Sequence, residues 1–93
     1  MSDIEVTDNT ERLRFEITSD GAEAGFADYE LTEGTIKLTH TVVGDDFEGQ
    51  GIGGKLVRHA LDDARSHGLR VIPTCSFVKG YVEKHPEYAD LVG

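Results

Sequence analysis

The chain is poor in cysteine, proline, tryptophan and positive charge. Its 93 residues include one cysteine, two prolines and no tryptophan. The lone Cys75 excludes an internal disulfide and any cysteine-cluster zinc site, and the acids Asp45, Asp46 and Glu48 match no calcium-loop spacing and read as a solvated loop. Basic residues number 9 against 18 acidic ones, for a formal net charge of −9. Such a surface repels nucleic acid and anionic lipid, so neither is expected as a partner. No apolar run approaches the roughly 18 residues of a membrane span. Met1-Ser2-Asp3 opens no signal peptide. The expectation is one cytoplasmic domain over residues 1–93 with a single modest core, monomeric or a weak homodimer. Lysine occurs only at Lys37, Lys55, Lys79 and Lys84, and the acids are spread from Asp3 to Asp90. Dispersed acid with scarce lysine suits a high-salt cytoplasm, where screening relieves self-repulsion, though an ordinary acidic protein reads the same way.

Glycine is what the chain has in quantity. Glu48-Gly49-Gln50-Gly51-Ile52-Gly53-Gly54-Lys55 sets four glycines at the mouth of a helical pattern that runs from Ile52 to His67. A glycine-rich turn feeding a helix leaves N–H groups and the positive end of the dipole facing outward, which binds phosphate. Three templates compete for these residues. A nucleoside-triphosphate loop needs a hydroxyl after Lys55 to hold magnesium, and Leu56 stands there. A dinucleotide fingerprint needs an acidic residue at the end of the next strand, and Arg70 to Cys75 contain none. The third is the [QR]-x-x-G-x-[GA] turn of acetyl-coenzyme A binders, which Gly51 and Gly53 satisfy with Glu48 in the first position.

Around that turn the chain resembles the small single-domain YjdJ-type N-acetyltransferase-like family of the GNAT superfamily. The matching pieces are Leu38-Thr39-His40-Thr41, Gly49 to Gly53, Ala60 to Arg65, Ile72 to Val78, and Lys84-His85-Pro86-Glu87-Tyr88. They run in order from about residue 36 to residue 91. Two positions depart: Glu48 stands where the family has a basic residue or Gln, and Val42 where it often has an acid. The resemblance implies that acetyl-CoA or coenzyme A is bound by Val43, Gly49, Gln50, Gly51, Ile52, Gly53, Gly54 and Lys55. It also implies that the pantetheine arm lies along the Thr41–Gly44 backbone, between two splayed strands.

Hydrophobic periodicity supplies the order. Residues 1–10 are polar and read as a frayed lead-in. Alternation over Arg12–Thr18, Ala22–Leu31 and Thr35–Val43 predicts three strands in an antiparallel meander, with Ile36, Leu38, His40 and Val42 on one side of the third. Ile52, Leu56, Val57, Ala60, Leu61 and Ala64 form one apolar stripe, and Gly68 ends that helix. Leu69–Thr74 predicts a short strand. Ser76 is placed to cap a helix to about Lys84, buried through Phe77 and Tyr81. The fold class is therefore α+β, β-β-β-α-β-α, a mixed and mostly antiparallel sheet with its long helix after the phosphate loop. This agrees with the minimal GNAT-like fold that the resemblance implies.

Acetyl transfer to an amine needs a group to take the amine's proton and donors for the oxyanion. His40, read as inward-facing, is the side chain suited to act as a base at neutral pH; it also suits a core histidine bonded to a carbonyl. Cys75 precedes a helix start, a placement that lowers a thiol pKa, and fits a transient acyl carrier, a lining residue or a buried hydrophobe. Tyr81, Tyr88 and His85 are weaker candidates. The reading of the whole is an acetyl-CoA-dependent N-acetyltransferase working by direct transfer to an unidentified amine, a small molecule or a protein lysine. The alternative is a non-catalytic coenzyme A-binding module acting as sensor or partner subunit.

Overall fold

Alternating burial along the first half of the chain resolves into four antiparallel strands rather than three. The structure, a computed structural model, describes residues 3–47 and 51–92, with Asp46 described through its backbone alone. The strands are β1 (Ile4–Asn9), β2 (Arg14–Ser19), β3 (Ala22–Thr32) and β4 (Thr35–Val43). The segment expected to fray is β1, which pairs with β2 from Ile4 opposite Ser19 to Asn9 opposite Arg14. Its alternation was too short to stand out, because only Ile4 and Val6 break a polar run. After a short 3-10 turn at Asp45–Phe47 come helix α1 (Ile52–Ser66), strand β5 (Arg70–Pro73), helix α2 (Ser76–Lys84) and a 3-10 turn at Pro86–Leu91.

The sheet order is β1-β2-β3-β4-β5, antiparallel throughout except for the parallel β4–β5 pair. Helix α1 lays Ile52, Leu56, Val57, Ala60, Leu61 and Ala64 onto the sheet, all at most 1% exposed. From the sheet they meet Phe15, Ile17, Ala27, Tyr29, Ile36, Leu38 and Val71. The α1 stripe is therefore as its sequence predicts. The helix ends in a Schellman motif: Leu69 N–H bonds the Ala64 carbonyl at 2.8 Å and Gly68 N–H bonds that of Arg65 at 3.2 Å. Gly68 takes φ +67°, which a residue with a Cβ rarely adopts.

Two irregularities decide what the functional end of the sheet looks like. In the β3–β4 ladder Asp28 pairs with His40 but Tyr29 pairs with Leu38, so Thr39 is an extra residue in a bulge. The period of two shifts by one there. Pairing between β4 and β5 also stops early, at Leu38 opposite Pro73. The chain turns away at Thr74, whose hydroxyl bonds the Leu38 carbonyl at 3.0 Å, and Cys75 N–H bonds the same carbonyl at 3.1 Å. Proline at the last paired position fits that ending, since it offers no N–H to continue the ladder. Beyond Leu38, β4 is paired on one side only, with β3.

Candidate functional site

The bulge places the candidate catalytic side chains on opposite faces. Beyond it Thr41 lies opposite the buried Ala27 and Val43 opposite Gly25, so Thr41 and Val43 face the helices. His40 and Val42 face the other way. His40 is exposed, its ring 6.5 Å from that of Phe26. The inward position expected for His40 is thereby corrected: alternation counted from Ile36 and Leu38 slips by one residue at Thr39.

Cys75 stands at the N-cap position of α2, where Ser76 was expected, and no side chain caps that helix. Its thiol lies 3.5 Å from the Thr41 hydroxyl. Burial alone would push the Cys75 pKa up. The Thr41 hydroxyl and the backbone N–H groups of Val78, Phe77 and Thr41 outweigh that burial and hold the thiol below its ordinary value. The thiol therefore sits in the gap where β4 and β5 part.

The glycine turn opens a few residues away. Gly51 is the N-cap of α1 with φ +73° and ψ +16°, a left-handed conformation that suits glycine. No side chain caps the helix and its first turn carries no acid. The helix itself supplies no partner for the N–H groups of Ile52, Gly53 and Gly54. The first intrahelical bond is Lys55 N–H to the Gly51 carbonyl, 3.0 Å. The turn borders a cavity of about 260 Å³ whose other walls are Val43, Phe47 and Phe77. A second depression, also about 260 Å³, lies beyond Phe77, between Gly80, Tyr81 and Lys84.

Gly53 is buried where three elements meet. A Cβ there would stand 2.6 Å from Phe77 Cζ and 3.2 Å from Val43 Cγ2. It lets the Phe77 ring lie across α1, so the expected burial of Phe77 is corrected: it is 45% exposed, and Val78 is the fully buried residue of α2. Tyr81 is half-buried and stacked on His85 at 4.0 Å. Burial above all keeps its phenol protonated above the usual range.

Of the residues named for the cofactor, the structure brings Val43, Gly51, Ile52, Gly53 and Gly54 together. Gly49 and Gln50, with Glu48, lie outside the described residues. The Lys55 side chain belongs elsewhere, in a depression between α1 and β1 shared with Arg58 and His59. Sequence reasoning missed Phe47, Phe77 and the Thr41 hydroxyl. Phe47 and Phe77 flank the turn and the cysteine in sequence, which is the signal that could have raised them. Among the described residues no group of His, Cys, Asp or Glu could hold a metal ion, and no helix is long and apolar enough to cross a membrane.

Comparison with known proteins gives one consistent result. The family model described as GCN5-related N-acetyl-transferase matches residues 14–91. Protein NATD1 of Xenopus tropicalis is 31% identical over 87 residues, 91% of this chain and 80% of that protein. The solution structure of a GCN5-like protein from Staphylococcus aureus superposes with a TM-score of 0.76 at 32% identity, over 100% of this chain and 91% of that one. The crystal structure of the ribosomal-protein-S18-alanine N-acetyltransferase from Escherichia coli superposes with a TM-score of 0.64 at 21% identity, over 76% of this chain and 64% of its own. The last likeness is one of fold.

Proposed function

The chain belongs to the GCN5-related N-acetyltransferase family, and from that premise we propose that it binds acetyl-CoA and acetylates an amine. The observation that carries the reading is the nearness of two features: the walls of the glycine-turn cavity, Val43 and Phe77, each stand two residues past Thr41 and Cys75. An uncapped, acid-free helix start at Gly51 faces Val43 and Phe77, and on β4 and at the start of α2 those two walls adjoin the gap that holds Thr41 and Cys75. The residues fit the group. The N–H groups of Ile52, Gly53 and Gly54 suit a pyrophosphate, and the apolar walls at Val43, Phe47 and Phe77 suit an alkyl arm. The stretch of β4 beyond Leu38, open on one side, offers backbone groups to its amides.

Bound there, the thioester would supply an activated acyl carbon. The chain's own residues do the rest. The first turn of α1 holds the phosphates, and Phe77 and Val43 exclude water from the arm. Cys75 lines the acyl end, with the Thr41 hydroxyl and N–H beside it as donors. In the transfer the amine nitrogen would bond the acyl carbon as that carbon's bond to sulfur breaks, with coenzyme A leaving as the thiolate. The exposed His40 imidazole, on the opposite face of the sheet, would take the amine's proton through water.

Thermal unfolding with acetyl-CoA, coenzyme A and ATP tests this. A ligand at 100 times its Kd adds about 2.7 kcal/mol, upwards of about 10 °C for a domain of this size. We expect that gain with acetyl-CoA and coenzyme A and none with ATP. The gain without turnover of any amine supplied would favour a coenzyme A-binding module, and no gain at all sinks the proposal.

A further inference from the structure

At the end of α1 away from the glycine turn a cavity of about 320 Å³ opens between the helix and the β1–β4 strands. It is more enclosed than the groove beside Gly51. Its walls are apolar: Phe15 from β2, Leu31 from β3, Ile36 from β4 and Leu69 after the helix. Leu31 is 52% exposed, although its place in the strand alternation puts it on the core face. The rim is acidic. Asp8 at the end of β1 and Asp63 on α1 both line the cavity, with His67 beside Asp63.

Tyr29, only 3% exposed, also lines the cavity and donates its hydroxyl to Asp8 Oδ1 at 2.5 Å. Burial, that bond and the negative charges of Asp8 and Asp63 together push the Tyr29 phenol far above its usual pKa. Both carboxylates border the one cavity. Among the described residues neither makes an ion pair with Lys or Arg; Asp63 has only His67, at 3.4 Å.

We propose that this cavity binds a small alkylammonium cation, its chain on Leu31 and Leu69 and its charged head against Asp8 and Asp63. Charge complementarity selects the occupant. An anion would meet two carboxylates, and a neutral apolar molecule would leave them unaddressed. A bare metal ion would leave the apolar floor wet and find too few ligands, since no three-residue metal cluster exists among the described residues. The volume lies at the small end of ligand pockets, which suits an amine of several carbons. Asp63 comes 11 residues after Ile52 in one continuous helix, about 16 Å along its axis. The acyl end lies at Thr41, five residues along β4 from Ile36 in the cavity wall and roughly 15 Å away, so the site recognises and does not acylate. The inference stands whether or not the chain transfers acetyl groups.

The test is an NMR titration of the 15N-labelled full chain with n-hexylammonium chloride at constant ionic strength and pH 8, with n-hexanol in parallel. We expect saturable shifts confined to the cavity lining, at Asp8, Tyr29, Leu31, Thr32 and the Asp63–Leu69 segment, and affinity for hexanol weaker by about fivefold or more. Asp63→Asn should weaken hexylammonium about fivefold and leave hexanol unchanged, whereas Glu83→Gln on α2 should change neither. Asp8→Asn serves as a second variant if the first disturbs the helix end. Equal affinity for the two probes, unchanged binding in both Asp variants, or shifts scattered over the acidic surface without saturation would overturn the proposal.

Discussion

Thr41 lies on β4 past its last pairing with β5, and Cys75 is the N-cap residue of α2 after β5 has ended, yet their side chains meet at 3.5 Å. As a neutral thiol Cys75 donates to the Thr41 hydroxyl; as a thiolate it accepts from that hydroxyl and from the N–H groups around it. More donors therefore face the charged form than the neutral one, which is why the pKa is lowered despite burial. The prediction is a pH profile of iodoacetamide alkylation whose midpoint lies below the roughly 8.5 of a free cysteine. In Thr41→Val one donor is gone and the midpoint should move up. A midpoint at the free-cysteine value in the wild-type chain would reduce Cys75 to packing, and an unmoved midpoint in Thr41→Val would remove the hydroxyl from the account.

Helix α1 shows how much of an element a sequence specifies and where it stops. Its apolar stripe and its glycine stop follow from local spacing, so both could be read directly. Its N-terminal groove could be read only in part. The glycines announce a close approach, but not that Phe77, 24 positions after Gly53, is what comes close. That contact is tertiary, as is the β3–β4 bulge that turns His40 outward, and no local pattern encodes either. Gly25 hints at the tight β3–β4 approach, since a Cβ there would meet the Val42 carbonyl at 2.4 Å.

A variant at Gly51 separates charge from shape at this helix start. A Cβ at Gly51 meets nothing within 4 Å, and Asn and Asp both tolerate the left-handed region it occupies. Gly51→Asn and Gly51→Asp should therefore fold with stabilities within about 1 kcal/mol of each other. Only the Asp variant sets a carboxylate against the N–H groups of the first turn. It should bind acetyl-CoA about tenfold or more weaker than the Asn variant, the order expected of a charged contact. Equal affinities in calorimetric titration would mean that the phosphates lie elsewhere.

The whole molecule carries a formal charge of −9, and among the described residues Arg14, Arg58 and Arg65 are committed to local ion pairs. Arg14 holds Glu16 at 2.9 Å and stacks over Phe26 at 4.5 Å, while Arg65 clips the C-terminal turn to α1 through Asp90 at 3.0 Å. Repulsion among the remaining acids acts over longer distances than these pairs, so added salt removes more repulsion than attraction. Raising KCl from 0.1 M to 1 M shortens the Debye length from about 10 Å to about 3 Å, and the melting temperature at pH 7 should rise. Acid supplies the control. The Asn9 and Arg14 hydrogen bonds to Glu16, and the Arg65 bonds to Asp90, hold both pKa values below the ordinary carboxylate range. Their stabilisation is present above the unfolded pKa and is lost only as pH falls through the lowered folded values. Near pH 4.5, where unperturbed carboxylates begin to neutralise, repulsion is already falling while these pairs persist. The salt-dependent gain should therefore be smaller there than at pH 7. A melting temperature that falls with KCl at pH 7 would mean that the ion pairs, and not the acidic surface, set the electrostatic balance of this fold.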